Sequence, residues 1–161
     1  MIVLFLILTL LNLMALLGAA VLGYGSSFAR DWGKYHELAG ALATICSCAV
    51  HCVVFTYFLA TAKWIQHAVR VKKLSTQHVE PTRSFRAQAF PAALLAMFSV
   101  FLAAVIGVAT ISYQLHPMYH RVTAIVAIVI NALVAWVEYR AICRNGRLID
   151  CILDEINPKA V

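Results

Sequence analysis

Four stretches of the chain are almost uninterrupted runs of apolar residues, and the charges gather between them. The first runs from Met1 to about Tyr24, with no charged side chain before Arg30. The second lies between Glu37 and Lys63, the third between Arg86 and Arg121, and the fourth runs from about Met118 to Tyr139. A helix needs about 20 apolar residues to cross a hydrocarbon core, so each stretch predicts a membrane-spanning helix. The expected spans are 2–24, 38–62, 88–114 and 118–139, followed by a short helix or tail over 140–161. The fourth is the tightest fit, because Arg121 and Glu138 bracket only 16 residues. Snorkelling of Arg121 and an inward-facing Glu138, within reach of Lys63 or Arg140, accommodate it. The first stretch has no basic segment ahead of it, and its length favours a retained span over a cleaved leader.

Within the runs the polar positions recur at helical spacing. At about 100° per residue, His36, Gly40, Thr44, Ser47, His51, Phe58 and Ala62 form one stripe on the second span, while Ile45, Ala49 and Val53 point away. The fourth span repeats the pattern with His120, Thr123, Ala127, Asn131, Val134 and Glu138. Polar groups in lipid have no water to bond, so both stripes are expected to face the bundle interior. Small residues line the first span (Asn12, Ala15, Ala19, Gly23) and the third (Ser99, Ala103, Gly107, Thr110), a spacing that lets helices approach closely. The expected architecture is an all-α, integral membrane four-helix bundle forming a single transmembrane domain, with neighbouring helices antiparallel. No repeat with a period of 20 to 50 residues and no low-complexity tract is visible.

Composition excludes the soluble alternatives. Of 161 residues, 63% are hydrophobic and 12% charged, and the mean hydropathy is +0.84, far from the soluble average. A net charge of +6 would suit a nucleic-acid partner, but the basic residues sit at the ends of apolar runs and form no stripe interleaved with aromatics, so no such partner is expected. They act as topology signals instead. Ten of the thirteen Lys and Arg residues fall in 63–86 or 140–159, against Arg30, Lys34 and Arg121 on the other side. The positive-inside rule then places both termini and the central connection in the cytoplasm of a multi-pass protein of the cell's inner membrane. Trp32, Tyr35, Tyr113 and Tyr119 at one level and Trp64 and Trp136 at the other fit two interfacial belts. The five cysteines lie in a span or near the basic C-terminal end, where a reduced state is expected.

Depth gives the candidate chemistry. The second and fourth spans run in the same direction, so His36 and His120 share a level near the outer interface, and His51, Asn131 and Asn12 share a deeper one. Two imidazoles on facing helices suit both axial sides of a haem iron, and His36 with His120 is the preferred pair. In this arrangement the chain resembles the four-helix b-type cytochromes, through its architecture and these two histidines. Relatives of that kind with two haems carry paired histidines at two depths, whereas the position level with His51 is Asn131 or Ala135, so the resemblance implies one haem b at most. Solvated or hydrogen-bonded interfacial histidines are the plain alternative. His51 at midplane depth would ligate iron, hydrogen-bond a quinone carbonyl together with Asn131, pass a proton, or simply bond Asn131 or Asn12. A copper or zinc ion held by His36, His120 and His116, with Glu37 or Asp31, is a further candidate, although Pro117 leaves His116 ahead of the helix. Cys48, His51 and Cys52 share adjoining faces but lack a fourth ligand.

The stretch His36–Trp64, with its His51-Cys52-Val53-Val54-Phe55-Thr56-Tyr57-Phe58 core, is similar to an uncharacterised group of small bacterial four-span membrane proteins. The likeness covers less than a third of the chain and implies no activity. No hydrolase, P-loop or dinucleotide motif is present. The expected function is a membrane subunit for electron transfer, binding one b-type haem, a quinone or both, more a part of a redox complex than an enzyme by itself. The rival is a non-catalytic accessory subunit that packs against other membrane proteins, for which the small extramembrane mass speaks. A transporter is third, because no broken helix pair or inverted repeat is evident.

Overall fold

The computed structural model describes residues 1–25 and 32–157. They form four long helices, α1 (Ile2–Gly25), α2 (Trp32–Lys72), α3 (Glu80–Ser112) and α4 (Met118–Ile156), with a single 3₁₀ turn at Thr76–His78 between α2 and α3. There is no β-strand among the described residues. All four helices are long and apolar enough to cross a membrane, and the chain is a multi-pass membrane protein with an all-α bundle.

The helices form a ring. α1 packs most extensively on α2 and α3 on α4, while α2 against α3 and α1 against α4 close the circuit. α2 and α4 also touch across one diagonal. Close approach depends on small side chains: Ala89, Ala93 and Ala96 on α3 are fully enclosed, as are Ala43 and Ala62 on α2 and Ala127 and Ala141 on α4 to within 3%. In lipid the packing of such surfaces, and not hydrophobicity, holds helices together. The outward faces are correspondingly bare and apolar, as at Leu10, Met14 and Val21 on α1 or Phe98, Phe101 and Val105 on α3. Pro91 lies inside α3 on the exposed side, and the helix runs through it.

Two helices outrun the expected spans. With 41 and 39 residues and a rise of about 1.5 Å per residue, α2 and α4 are about 60 Å long, twice the hydrocarbon thickness. Most of the excess lies at the end of the bundle where α1 begins and α4 finishes, and α3 also starts there, at Glu80, ahead of its expected span. There Ile65, Ala68, Val69 and Ile152 bury one another beneath Leu74, Val79, Leu148 and Ile156, forming a small core of the soluble kind. The residues expected as a tail from 140 are therefore a continuation of α4 as far as Ile156. His78 in the connecting turn bonds Glu155 at 2.8 Å, which fastens that turn to the end of α4. α2 stops at Lys73, whose φ of 56° puts it in the left-handed region.

Candidate functional site

The diagonal between α2 and α4 carries the polar groups, and its contacts follow a rule. The rings of His36 and His120 lie 5.7 Å apart. Deeper, Ser47 donates to Asn131 Oδ1 at 2.9 Å. Near the terminal end, Asn145 Nδ2 donates to Thr61 Oγ1 at 3.0 Å. Each pair is separated by 84 residues in sequence. Residues 84 apart meeting at three levels means that the α1–α2 and α3–α4 hairpins are related by a pseudo-twofold axis that runs along the bundle between α2 and α4. The repeat is parallel, since both hairpins set out from the same end. Its period is far longer than the 20 to 50 residues of solenoid repeats. Its sequence trace is Ala19-Ala20-Val21-Leu22-Gly23 against Ala103-Ala104-Val105-Ile106-Gly107, and Tyr35-His36 against Tyr119-His120.

The histidine layer obeys the axis closely. His36 Nδ1–H donates to the Ala19 carbonyl at 2.8 Å, and His120 Nδ1–H donates to the equivalent Ala103 carbonyl at 3.0 Å. A carbonyl oxygen only accepts, so both rings carry a proton on Nδ1, and in the neutral ring the lone pair is then on Nε2. Each ring lies against a glycine of the preceding helix: a Cβ on Gly23 would come within 2.7 Å of the His36 ring, and one on Gly107 within 2.9 Å of the His120 ring. Any larger residue at 23 or 107 would push the rings off their carbonyls. Orienting a histidine through its second nitrogen is what metal-binding sites do. The two imidazoles, with ring centres 5.7 Å apart, are chemically a pair of nitrogen donors of the kind that metals take.

His116 does not join them. It is exposed ahead of α4, where its Nδ1 accepts the Met118 N–H at 3.3 Å. Glu37 is exposed as well, and Asp31 lies outside the described residues. Among the described residues no three His, Cys, Asp or Glu side chains gather as a metal site. Cys52 is exposed while Cys48 is half-buried, so they do not converge with His51.

The midplane layer departs from the axis. His51 Nε2 lies 3.2 Å from Asn131 Oδ1, the partner expected from their common depth. That oxygen also accepts from Ser47 and, at 3.3 Å, from Asn12 Nδ2. The other side of the Asn131 amide donates to the Ala127 carbonyl at 2.9 Å and to Ser99 Oγ at 3.5 Å. All four helices are therefore joined at one amide. A quinone carbonyl at this level would have to displace one of these bonds. His51 Nδ1 meets Glu138 Oε1 at 2.8 Å, with both side chains 2% exposed or less. Glu138 was expected near Lys63 or Arg140; both of these are exposed, and the carboxyl turns inward to His51 instead. The equivalent of His51 in the other hairpin is Ala135, and that of Glu138 is Val54, so this pair has no symmetric copy. Below it Phe5, Val54, Phe58, Ala89, Ala141 and Ile142 form an apolar plug.

No known family, no curated protein and no solved structure matches this chain.

Proposed function

We propose that the protein is an integral membrane subunit for electron transfer, in which His36 and His120 hold one b-type haem at the hairpin end of the bundle. One observation supports the reading: two pseudo-equivalent imidazoles, 84 residues apart in sequence, each held by its Nδ1–H on a backbone carbonyl and packed on a glycine, lie with ring centres 5.7 Å apart. Iron bound there supplies one-electron chemistry. The chain's own part is to fix each imidazole through its Nδ1–H and to bury both rings partly. The ten-to-three distribution of basic residues supports an orientation with the histidine pair near the outer face and both termini in the cytoplasm.

Protein purified from haem-replete cells should show a b-type spectrum when reduced, and His36→Ala and His120→Ala should each abolish it while the helices stay intact. Fully folded protein without a haem signal overturns the assignment and leaves the accessory-subunit reading, in which the chain serves a larger membrane complex by packing alone. Cysteines introduced as Ser75→Cys and Leu115→Cys, in a background without native cysteines, should label from the cytoplasmic and the outer side respectively. The reverse pattern would turn the bundle over.

A further inference from the structure

His51 and Glu138 are ionisable, enclosed and unused by the haem reading, and their hydrogen bonds fix how many protons they hold. Asn131 Oδ1 is an acceptor, because Nδ2 of the same amide donates to the Ala127 carbonyl. The contact to it from His51 Nε2 therefore requires a proton on Nε2. The 2.8 Å contact between His51 Nδ1 and Glu138 Oε1 requires one more proton, on either atom. On Nδ1 it makes an imidazolium beside a carboxylate; on Oε1 it makes a neutral imidazole beside a carboxylic acid. Both forms have no net charge, and passage between them breaks one N–H bond and forms one O–H bond. Without this proton a nitrogen lone pair faces a carboxylate.

Packing does not call for these groups. The pseudo-equivalent positions Ala135 and Val54 fill the same level of the other half with apolar side chains, and apolar replacements of buried ion pairs are often neutral or stabilising. An ionisable residue inside a membrane is by default a functional one. A second observation points to a small polar ligand: Asn12 is 3% exposed and its Oδ1 has no hydrogen-bond partner. Its Nδ2 is already in the network, so the layer is one donor short, and a water molecule supplies such a donor in buried polar sites.

We propose that His51 and Glu138 form a proton-binding site within the membrane, which takes up and returns one proton as a unit and exchanges it through water seated on Asn12 Oδ1. In uptake a hydronium ion gives its proton to the Nδ1–Oε1 bond and leaves as water; release is the reverse. Few other groups interfere. α1 carries no titratable side chain between Met1 and Tyr24, and α3 none between Arg86 and Tyr113. On α2 the nearest are Cys48, half-buried, and Cys52, exposed, with Tyr57 bonded to Asn145; on α4 they are Tyr139, half-buried, and Arg140, exposed. The site stands whether or not haem is bound, and its test does not read haem.

The full chain in lipid nanodiscs, with ¹⁵N-labelled histidine, is titrated with acid and alkali and followed by NMR and carboxyl infrared absorption, the His51 signals being assigned by loss in His51→Asn. The His51 Nδ1 resonance and the Glu138 band should move together, with one proton bound per chain, and Glu138→Gln should abolish the step. The double variant His51→Ala/Glu138→Val, which writes the other hairpin's residues into this layer, should stay helical and lose the proton. Asn12→Leu should slow hydrogen–deuterium exchange at His51 without altering the proton count. A single fixed protonation state wherever the bundle remains helical, or uptake that persists in the double variant, would reduce the pair to a structural pin. Unchanged exchange in Asn12→Leu would remove water from the proposal.

Discussion

At the hairpin end of the bundle two identical histidines face each other across the pseudo-twofold axis; some four turns deeper, a histidine on α2 meets a glutamate on α4 where symmetry would place an alanine and a valine. The first layer is built from duplicated parts: each imidazole has its own carbonyl and its own glycine. Two like bases held by their Nδ1–H groups offer each other nothing further, and the pair is left without a complementary partner of its own. The second layer is complementary. An acid and a base on opposite halves do satisfy each other, and together with Asn131 they bond across the axis, with Asn12 Oδ1 as the one acceptor left over. Symmetry here goes with like groups side by side, and broken symmetry with a matched pair.

The largest effect should come from unbalancing the acid–base layer. Glu138→Ala or His51→Ala alone strands a buried ionisable partner and should cost about 3–5 kcal/mol, read from equilibrium unfolding in mixed micelles. Replacing both with the other hairpin's residues should recover most of that loss. If the double variant is as unstable as the singles, the layer is not complementary in the sense argued. Next come the glycines. Gly23→Ala and Gly107→Ala each drive a Cβ into an imidazole ring, and the forced shift should cost about 1–3 kcal/mol at either site. Equal losses support the pseudo-symmetry of the histidine layer, while a marked inequality would break it.

A smaller change is expected at the third level of contact. Asn145 bonds both Tyr57 and Thr61, and Asn145→Ala should cost about 1 kcal/mol, in keeping with interhelical hydrogen bonds in membranes. Smallest, and outside both layers, Lys73→Gly relieves a left-handed residue at φ 56° and should stabilise by about 0.5 kcal/mol, since glycine's added freedom in the unfolded chain offsets part of the relief. It serves as the control for effects that do not pass through the axis.

Much of this was legible from the residues alone, for physical reasons. Apolar length dictates spans in a bilayer, and in-register depth on helices running the same way brought His51 to Asn131 and His36 to His120. The inward turn of Glu138 was legible from its stripe, but its partner was not: beside Tyr139 and Arg140 it has the composition of an interface, and the extension of α2 and α4 beyond the hydrocarbon hides where the interface lies along the helix. That extension was itself unreadable from hydropathy, since the core of Ile65, Val69 and Ile152 lies among charged residues whose spacing is amphipathic and not apolar. The repeat went unseen because the two hairpins retain only short matching segments, around Gly23 and Gly107 and around His36 and His120. The carbonyl partners of those histidines could not have been anticipated at all, as they depend on the backbone of another helix.

The 84-residue spacing also separates what a symmetric pair of chains could build from what only one chain can. If the two hairpins were identical and separate, every residue on the axis would meet its own twin, and a histidine pair like His36 and His120 would follow from one sequence used twice. A layer with the base in one half and the acid in the other would not, because identical halves carry the same residue at each level. His51 with Glu138 therefore depends on the two halves being joined in one chain and unlike at that level.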